Sequence, residues 1–573
     1  MLLIILFWIL VSVSFLGWGK IFTSVLGPKA ILEDFSETGH FFVGLSVCGI
    51  LSGMWWCVAP ITPGFGGILM GAGIGYGIAS WPSHFHIQFK NPWFIATCVL
   101  FALAIAMKAA APGSFYDSGL YYVQTIRWAQ AHSVVPGLAN LHVRFGNASM
   151  WHVLVAAYDW PQILGGDIDD LGELILLWFV VFHGWNGYKR SGFERYLSLS
   201  LVFFAIWQSK HLLTAPTPDL ASGILGMQTL WQFRKFLKAW NPKESNQLNT
   251  RGLALFAQSL FLAQIKLSAI PFLIVAVLVN FLVIRKGWII SAINLVAFGL
   301  VVALSMVYRS YILSGYALFP VFSGGLSPDW LIPKTIVTEY LDGVRGFARH
   351  ILTPAELANG LTYSKLGRLQ FWDWFPIWAK DRKWNEWMVI LMAVSGWLLL
   401  VRFASSHIRR SFKDHWPLIF FTWLSGMMLL FWFSNAPDVR FGMAILGMGL
   451  SYSMAAILLR ISTTLNFIGH IKFYELASVA IAIWAVVWYA DGRSLKQYAW
   501  VPPLYHHVEP AVYKNFQGHS MFTPADTEDP YADADQCWDS PLPCSQNAMP
   551  GLLWRGKTAA DGFKFPSSTG VKK

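Results

Sequence analysis

Three acids stand where chemistry could be done at the edge of an apolar helix. Asp117 lies in Phe115-Tyr116-Asp117-Ser118-Gly119-Leu120-Tyr121-Tyr122, Asp219 in Ala215-Pro216-Thr217-Pro218-Asp219, and Asp438 in Asn435-Ala436-Pro437-Asp438-Val439-Arg440. A carboxylate partly shielded from water among aromatic rings is the right kind of group to accept a proton. Cations recur nearby in sequence or pattern: His142 and Arg144 in Asn140-Leu141-His142-Val143-Arg144-Phe145-Gly146-Asn147, then Lys210, His211, Lys266, Arg309 and Arg440. Fixed guanidinium and ammonium groups suit an oxyanion or a phosphate. Each acid has an equally good structural reading. Asp117 precedes a helix starting near Gly119, and Asp219 and Asp438 each follow a proline before an apolar helix, so all three fit as helix caps.

Other groups carry weaker signals. Arg309 opens a stretch that runs on through Gly315-Tyr316-Ala317-Leu318-Phe319-Pro320, and Phe371-Trp372-Asp373-Trp374-Phe375-Pro376 adds an aromatic run. Such faces cradle sugar rings, with Tyr316 a candidate, yet tryptophan and tyrosine also gather at membrane interfaces without any ligand. Asp167, Asp169, Asp170 and Glu173 offer oxygen ligands for a divalent cation and read first as a solvated turn. His142 and His152 are ten apart, with no Cys or His spacing typical of a zinc site. No phosphate-loop or nucleophile-elbow motif is present, so energy for a synthetic reaction would come from an activated donor. No cofactor is certain, and a divalent cation stays open.

The elements that must position these groups are membrane helices. The chain has 573 residues, of which 55% are hydrophobic and only 13% charged, with 30 Trp, 43 Phe and a net charge of +11. A soluble surface needs roughly twice that charged fraction. The fold class is therefore an all-α polytopic membrane protein. Disorder is excluded by the hydrophobicity. Nucleic acid is excluded as a partner because the basic residues fall in short clusters between apolar runs. Cys48, Cys57 and Cys98 lie inside apolar segments and read as packing residues.

Apolar stretches of about spanning length fall at 2–18, 41–58, 61–80, 94–111, 171–187, 196–212, 219–236, 253–267, 268–284, 288–308, 386–403, 416–433, 441–459 and 473–490, about fourteen in all. The first lacks the basic leader and cleavage site of a signal peptide. Segment 149–164 is short, contains Asp159 and Pro161, and reads as a re-entrant or interfacial helix on the outer side. Lys189, Arg190 and Arg195, then Arg234, Lys235, Lys238, Lys243 and Arg251, then Arg285 and Lys286, mark loops on one side. Arg402, Arg409, Arg410, Lys413, Arg460 and Lys472 continue that side, which the positive-inside rule makes cytoplasmic.

The organisation expected is N-terminal spans over 1–111, a first large extracytoplasmic loop with interfacial helices over 112–170, and central spans over 171–309. A second extracytoplasmic loop follows over 310–385, then C-terminal spans over 386–490 and a polar extracytoplasmic tail over 491–573. Within the tail, Cys537 and Cys544 flank Pro541 and Pro543. Two cysteines across a rigid bend in an oxidising compartment predict a disulfide.

Several of these motifs, Tyr116-Asp117-Ser118-Gly119-Leu120-Tyr121-Tyr122, Asn140 to Asn147, Pro216-Thr217-Pro218-Asp219, Gly315 to Pro320, Ala436 to Gly442 and Gln536 to Cys544, resemble a bacterial family of polytopic membrane proteins whose members lack an established activity. More distantly, the layout resembles the GT-C glycosyltransferases, with many spans, a first outer loop bearing an essential acid, and a lipid-phosphate sugar donor. That resemblance implies a catalytic role for Asp117 alone. The departures are that GT-C enzymes often carry two near-adjacent acids there, and that this loop follows the fourth span rather than the first.

The expected function is transfer of a sugar from a polyprenyl-phosphate-linked donor to a cell-envelope glycan or lipid acceptor, for polysaccharide biosynthesis. It would take place on the outer face of a bacterial cytoplasmic (inner) membrane, with membrane lipids as the other partners. His142, Arg144, Asp219, Lys266, Arg309, Tyr316, Asp438 and Arg440 would bind substrate or phosphate. The alternatives are a transporter or flippase, or a polymerase or ligase, of lipid-linked glycans.

Overall fold

The helix Ile289–Ser314 shows what solvent the fold is built for. Ile293, Val296, Leu300, Leu304 and Val307 are all exposed, and their spacing of three and four residues places them on one face. A continuous exposed apolar stripe on a helix this long belongs against hydrocarbon rather than water. The computed structural model describes residues 2–26, 37–80, 91–113, 115–147, 149–238, 247–285, 289–408, 412–465, 471–489, 504–525, 533 and 535–566.

Every one of the fourteen apolar stretches falls on a helix, from Leu2–Leu26 to Ile471–Tyr489. Among the described residues, eight helices are long and apolar enough to cross a membrane: Leu2–Val25, Gly39–Trp56, Pro92–Ala109, Leu267–Arg285, Ala292–Ser314, Trp384–Ser406, His415–Asn435 and Met443–Thr464. The protein is thus an all-α membrane protein with a small β tail. Helices such as Leu171–Lys189 and Pro218–Lys238 fall outside that group because polar and charged residues interrupt them. The basic residues Lys243, Lys286, Arg409 and Arg410 lie outside the described residues, as do the side chains of Lys413 and Lys472.

Segment 149–164 forms two helices, Met150–Tyr158 and the short Pro161–Leu164, the second with no buried residue. Met150–Tyr158 is buried at all nine positions, so it threads the protein interior. Ser149 begins it by accepting the Trp151 amide at 3.2 Å while its own hydroxyl donates to the Ile265 carbonyl at 2.7 Å. Its neighbour Asp159 is 2% exposed and accepts the Ile168 amide at 2.9 Å.

Close packing of small residues sets the core around the site. A Cβ on Gly226 would stand 2.6 Å from the Ala444 Cβ, so helix Pro218–Lys238 lies directly against Met443–Leu465. That contact brings the beginnings of both helices, and hence Asp219 and Arg440, to the same level. The loop between Ser314 and Trp384 folds into short helices, of which Lys334–Arg349 is amphipathic and packs Val337 inward. The tail forms two antiparallel hairpins, Pro510–Lys514 with Ser520–Pro524 and Leu553–Trp554 with Phe563–Lys564.

Candidate anion-binding site

Five charged side chains from five separate stretches meet in one chain of alternating sign. Arg144 Nη1 contacts Asp117 Oδ1 at 2.7 Å, Arg440 Nη1 approaches Asp117 Oδ2 at 3.8 Å, and Arg440 Nε contacts Asp219 Oδ2 at 3.1 Å. Lys266 closes the series by donating to Asp219 Oδ1. The two readings of each acid now separate. Asp117 makes no capping hydrogen bond to the π-helical turn Ser118–Tyr122 that follows it, so its carboxylate is committed to the two arginines. At Asp219 the capping is done by Thr217, whose hydroxyl accepts the Asp219 amide at 3.2 Å, which leaves the carboxylate for Lys266 and Arg440. Asp438 is the cap: its Oδ1 accepts the Arg440 amide at 2.8 Å, and it shapes the turn that presents Arg440.

The turn leading to Asp219 is held from behind. Thr214 has a φ of 71°, a left-handed conformation rare outside glycine, which costs of order 1–3 kcal/mol. The fully buried Glu173 accepts the Thr214 amide at 2.7 Å and supports that geometry. Asp170 and Glu173 are buried rather than on a solvated turn. Among the described residues, no group of three or more His, Cys, Asp or Glu could hold a metal ion. Burial, together with the negative charge of neighbouring acids, pushes Asp167 and Asp169 up to about 7.

Beside the ion-pair chain opens a cavity of about 640 Å³ lined by Tyr121, Arg144, Asn147, His152, Gln264, Lys266, Arg309, Tyr340 and Arg345, with apolar walls that include Met306, Leu313, Phe319, Val344 and Phe431. That volume lies within the range of sites that take drug-sized ligands. Among the described residues, four cations line the cavity and no carboxylate does. Asp117 and Asp219 stand behind Arg144 and Lys266, and Asp342 stands behind Arg345 at 3.5 Å. Arg309, inside its helix, is held by neutral acceptors: the Gly53 carbonyl at 2.8 Å, Gln264 Oε1 at 2.6 Å and Ser305 Oγ at 3.2 Å. The result is a positive, mostly greasy chamber suited to an amphipathic anion.

Other candidate residues have different placements. His142 stacks on Tyr121 with ring centroids 6.2 Å apart and is not among the cavity-lining residues. Burial and the adjacent Arg144 push its pKa down to about 3, so its ring is neutral at physiological pH. Tyr316 packs with Ala139, Phe319, Ile332 and Val337 in a separate apolar cluster. Lys210 lies over the Trp488 ring at 3.8 Å rather than joining the ion-pair chain.

Sequence reasoning passed over Tyr121, Asn147, His152, Gln264, Tyr340 and Arg345 as cavity-lining residues. A signal for His152 exists: it is the one ionisable side chain but for Tyr158 in the apolar nine-residue helix Met150–Tyr158.

Sequence reasoning also missed the tail's grip on the Asp117 loop. Cys537 and Cys544 are joined by a disulfide and both are buried. Trp538 donates its amide to the Gly119 carbonyl at 3.0 Å, and a Cβ on Gly119 would stand 2.3 Å from the Trp538 ring nitrogen. Gln124 donates to the Trp538 and Ser540 carbonyls, both at 2.9 Å, and Gln536 donates to the Tyr116 carbonyl at 2.9 Å. The turn holding Asp117 is therefore clamped from both sides by residues more than 400 positions away.

No curated protein and no solved structure matches the chain. Residues 1–447 match the model of a family described as a domain of unknown function, DUF8201, and the chain belongs to that family.

Proposed function

We propose that the protein is a membrane-embedded glycosyltransferase of the GT-C type. It would take a sugar from a polyprenyl-phosphate-linked donor and give it to a cell-envelope glycan or lipid acceptor on the extracytoplasmic side of a bacterial cytoplasmic membrane. The observation that supports this reading is the cavity of about 640 Å³, lined among the described residues by four cations, no carboxylate and apolar walls, and set beside the paired Asp117. A fourteen-span topology with basic loops inside belongs to the same reading.

In this scheme an acceptor hydroxyl approaches Asp117 from outside the cavity, at the 17% of its side chain that stays exposed, and gives its proton to that carboxylate. The acceptor oxygen forms a bond to the anomeric carbon as the bond from that carbon to the phosphate oxygen breaks. The electron pair leaves with the polyprenyl phosphate, whose growing charge is met by Arg144 and Lys266. In-line displacement inverts the anomeric centre. Arg440 holds Asp117 and Asp219 in place from behind.

The experiment is to supply a polyprenyl-phosphate sugar to membranes containing the protein and to measure release of free polyprenyl phosphate. Asp117→Asn is expected to slow release by about 10²–10⁴-fold, the range of a lost general base. Unchanged release in that variant would remove Asp117 from the chemistry. Movement of the lipid across the bilayer without release would favour a transporter.

A further inference from the structure

The loop that leaves helix Ile289–Ser314 shows the wrong surface for water. No charged residue lies between Arg309 and Asp329. Within that stretch Leu318 is 39% exposed, Val321 75%, Phe322 58% and Leu326 46%. The next helix, Lys334–Arg349, turns Lys334, Thr335, Thr338 and Glu339 outward instead. A loop that belonged in water would show such groups too. Apolar side chains crowded onto one loop mark a contact with another apolar phase.

Three features identify that phase as the bilayer. The loop continues, in the chain, the exposed stripe of Ile293, Val296, Leu300, Leu304 and Val307 on the helix before it. Its base is closed by Tyr311 and Trp330, whose ring centroids lie 5.5 Å apart, and such rings gather at headgroup level. Its backbone is also paired from within. Phe319 donates its amide to Ser310 Oγ at 2.7 Å, and Tyr316 donates to Ser314 Oγ at 3.1 Å. Leu318 and Phe322 exchange both backbone hydrogen bonds, at 2.9 and 2.8 Å, and Val321 donates to the Leu318 carbonyl at 2.9 Å. A docked protein could supply hydrogen bonds to such a loop, whereas lipid chains cannot, so a loop that meets lipid must pair its own amides.

Leu318 and Val321 are exposed and also line the cavity, together with Phe319 and Pro320. The same turn therefore borders both the chamber of Arg144 and Lys266 and the exterior. Whatever medium surrounds the turn is the medium into which the cavity opens on that side.

We propose that the segment Leu318–Leu326 is a wedge set into the bilayer, about 5–10 Å deep at the boundary between headgroups and chains, with the lipid itself as its partner. The cavity then opens sideways to lipid beside Leu318 and Val321, and an amphipathic anion passes its phosphate to the cations without leaving the membrane. The placement of the wedge rests on the apolar exterior of the fold alone. The route of entry rests also on the proposed lipid-linked ligand.

The test uses the full chain in nanodiscs of phosphatidylethanolamine and phosphatidylglycerol. A photoreactive benzoylphenylalanine placed at Phe322 is expected to form lipid adducts about tenfold more often than one placed at Thr338, as mass spectrometry would read. Equal yields at the two positions, or adducts at Phe322 to a second protein chain instead of lipid, would overturn the wedge. Binding is then measured for a long-chain polyprenyl phosphate dissolved in the bilayer and for geranyl phosphate added from water. Val321→Asn should narrow the preference for the long chain about fourfold, the worth of roughly one buried methylene. An unchanged ratio would overturn the sideways opening. If the unaltered chain binds neither phosphate, the proposed function and the route of entry fail together, while the adduct pattern still decides where the loop lies.

Discussion

The Asp219 side chain is 3% exposed and touches both Lys266 and Arg440. Taking one of its two cations from a buried carboxylate leaves its charge only partly compensated by Arg440, which is commonly worse than removing the pair. Lys266→Met is therefore expected to lower unfolding stability by about 2–4 kcal/mol, an amount set by that principle and reduced here because Lys266 is partly exposed. The double variant Lys266→Met, Asp219→Leu is expected to recover a good part of it, which thermal unfolding of the four proteins in a double-mutant cycle would show. Additive losses would mean that the two side chains do not interact.

A second prediction at the same scale concerns pH. Asp167 and Asp169 are raised to about 7 by burial and by neighbouring acids. A carboxyl whose folded-state pKa lies above its unfolded value holds its proton better when folded, so its contribution is full below about pH 4 and falls as pH rises through 7. Asp169→Asn removes that dependence. Its unfolding midpoint relative to the parent protein should therefore climb between pH 4 and 7 and level off above 8. A difference that stays flat across the range would contradict the raised pKa.

At the scale of elements, the tail acts as a brace for the loop carrying the site. The segment from Gln536 to Ser540 grips Gly119, Gln124 and Tyr116 through backbone and side-chain hydrogen bonds, and the disulfide holds its bend. Gly119→Ala has no room against the Trp538 ring. It should release the tail, seen as faster limited proteolysis after Tyr505, and lower ligand binding at the adjacent cavity. Cys537→Ser should act in the same direction, since closing a short loop with a disulfide is worth about 2–3 kcal/mol. Unchanged proteolysis in both variants would show that the tail holds by other contacts.

The tail also shows where a sequence stops being readable. Helices were legible because each carries its own apolar length, so all fourteen stretches fall on helices. The pairing of Trp538 with Gly119 was not, because nothing local at either position announces a contact across more than 400 residues. Segment 149–164 shows the same limit. Its shortness and polar ends marked it as no span, but only the surrounding helices make Met150–Tyr158 fully buried.

For the molecule as a whole, two surfaces define the account. Outward, helix Ile289–Ser314 and its neighbours present apolar side chains to the bilayer. Inward, near one end of the bundle, charges from loops distant in sequence gather round one chamber. The residue types at the site were legible: Asp219, Lys266 and Arg440 were marked by being ionisable at the ends of apolar helices, where unpaired charge is costly, and Asp117 and Arg144 by lying among aromatic residues in the first large loop. Their roles were not, because capping and ion pairing look alike in sequence. The choice between them at Asp117, Asp219 and Asp438 depended on side-chain direction alone.

The central claim is that the chamber holds a lipid-linked phosphate with its charge against Arg144 and Lys266. An electron cryo-microscopy map of the protein in nanodiscs loaded with a polyprenyl-phosphate sugar would address it directly. The account predicts density for the phosphate within hydrogen-bonding distance of both cations, with the isoprenoid chain leaving along the apolar wall near Met306 and Phe431. An empty chamber at saturating lipid, or a phosphate bound elsewhere on the protein, would contradict it.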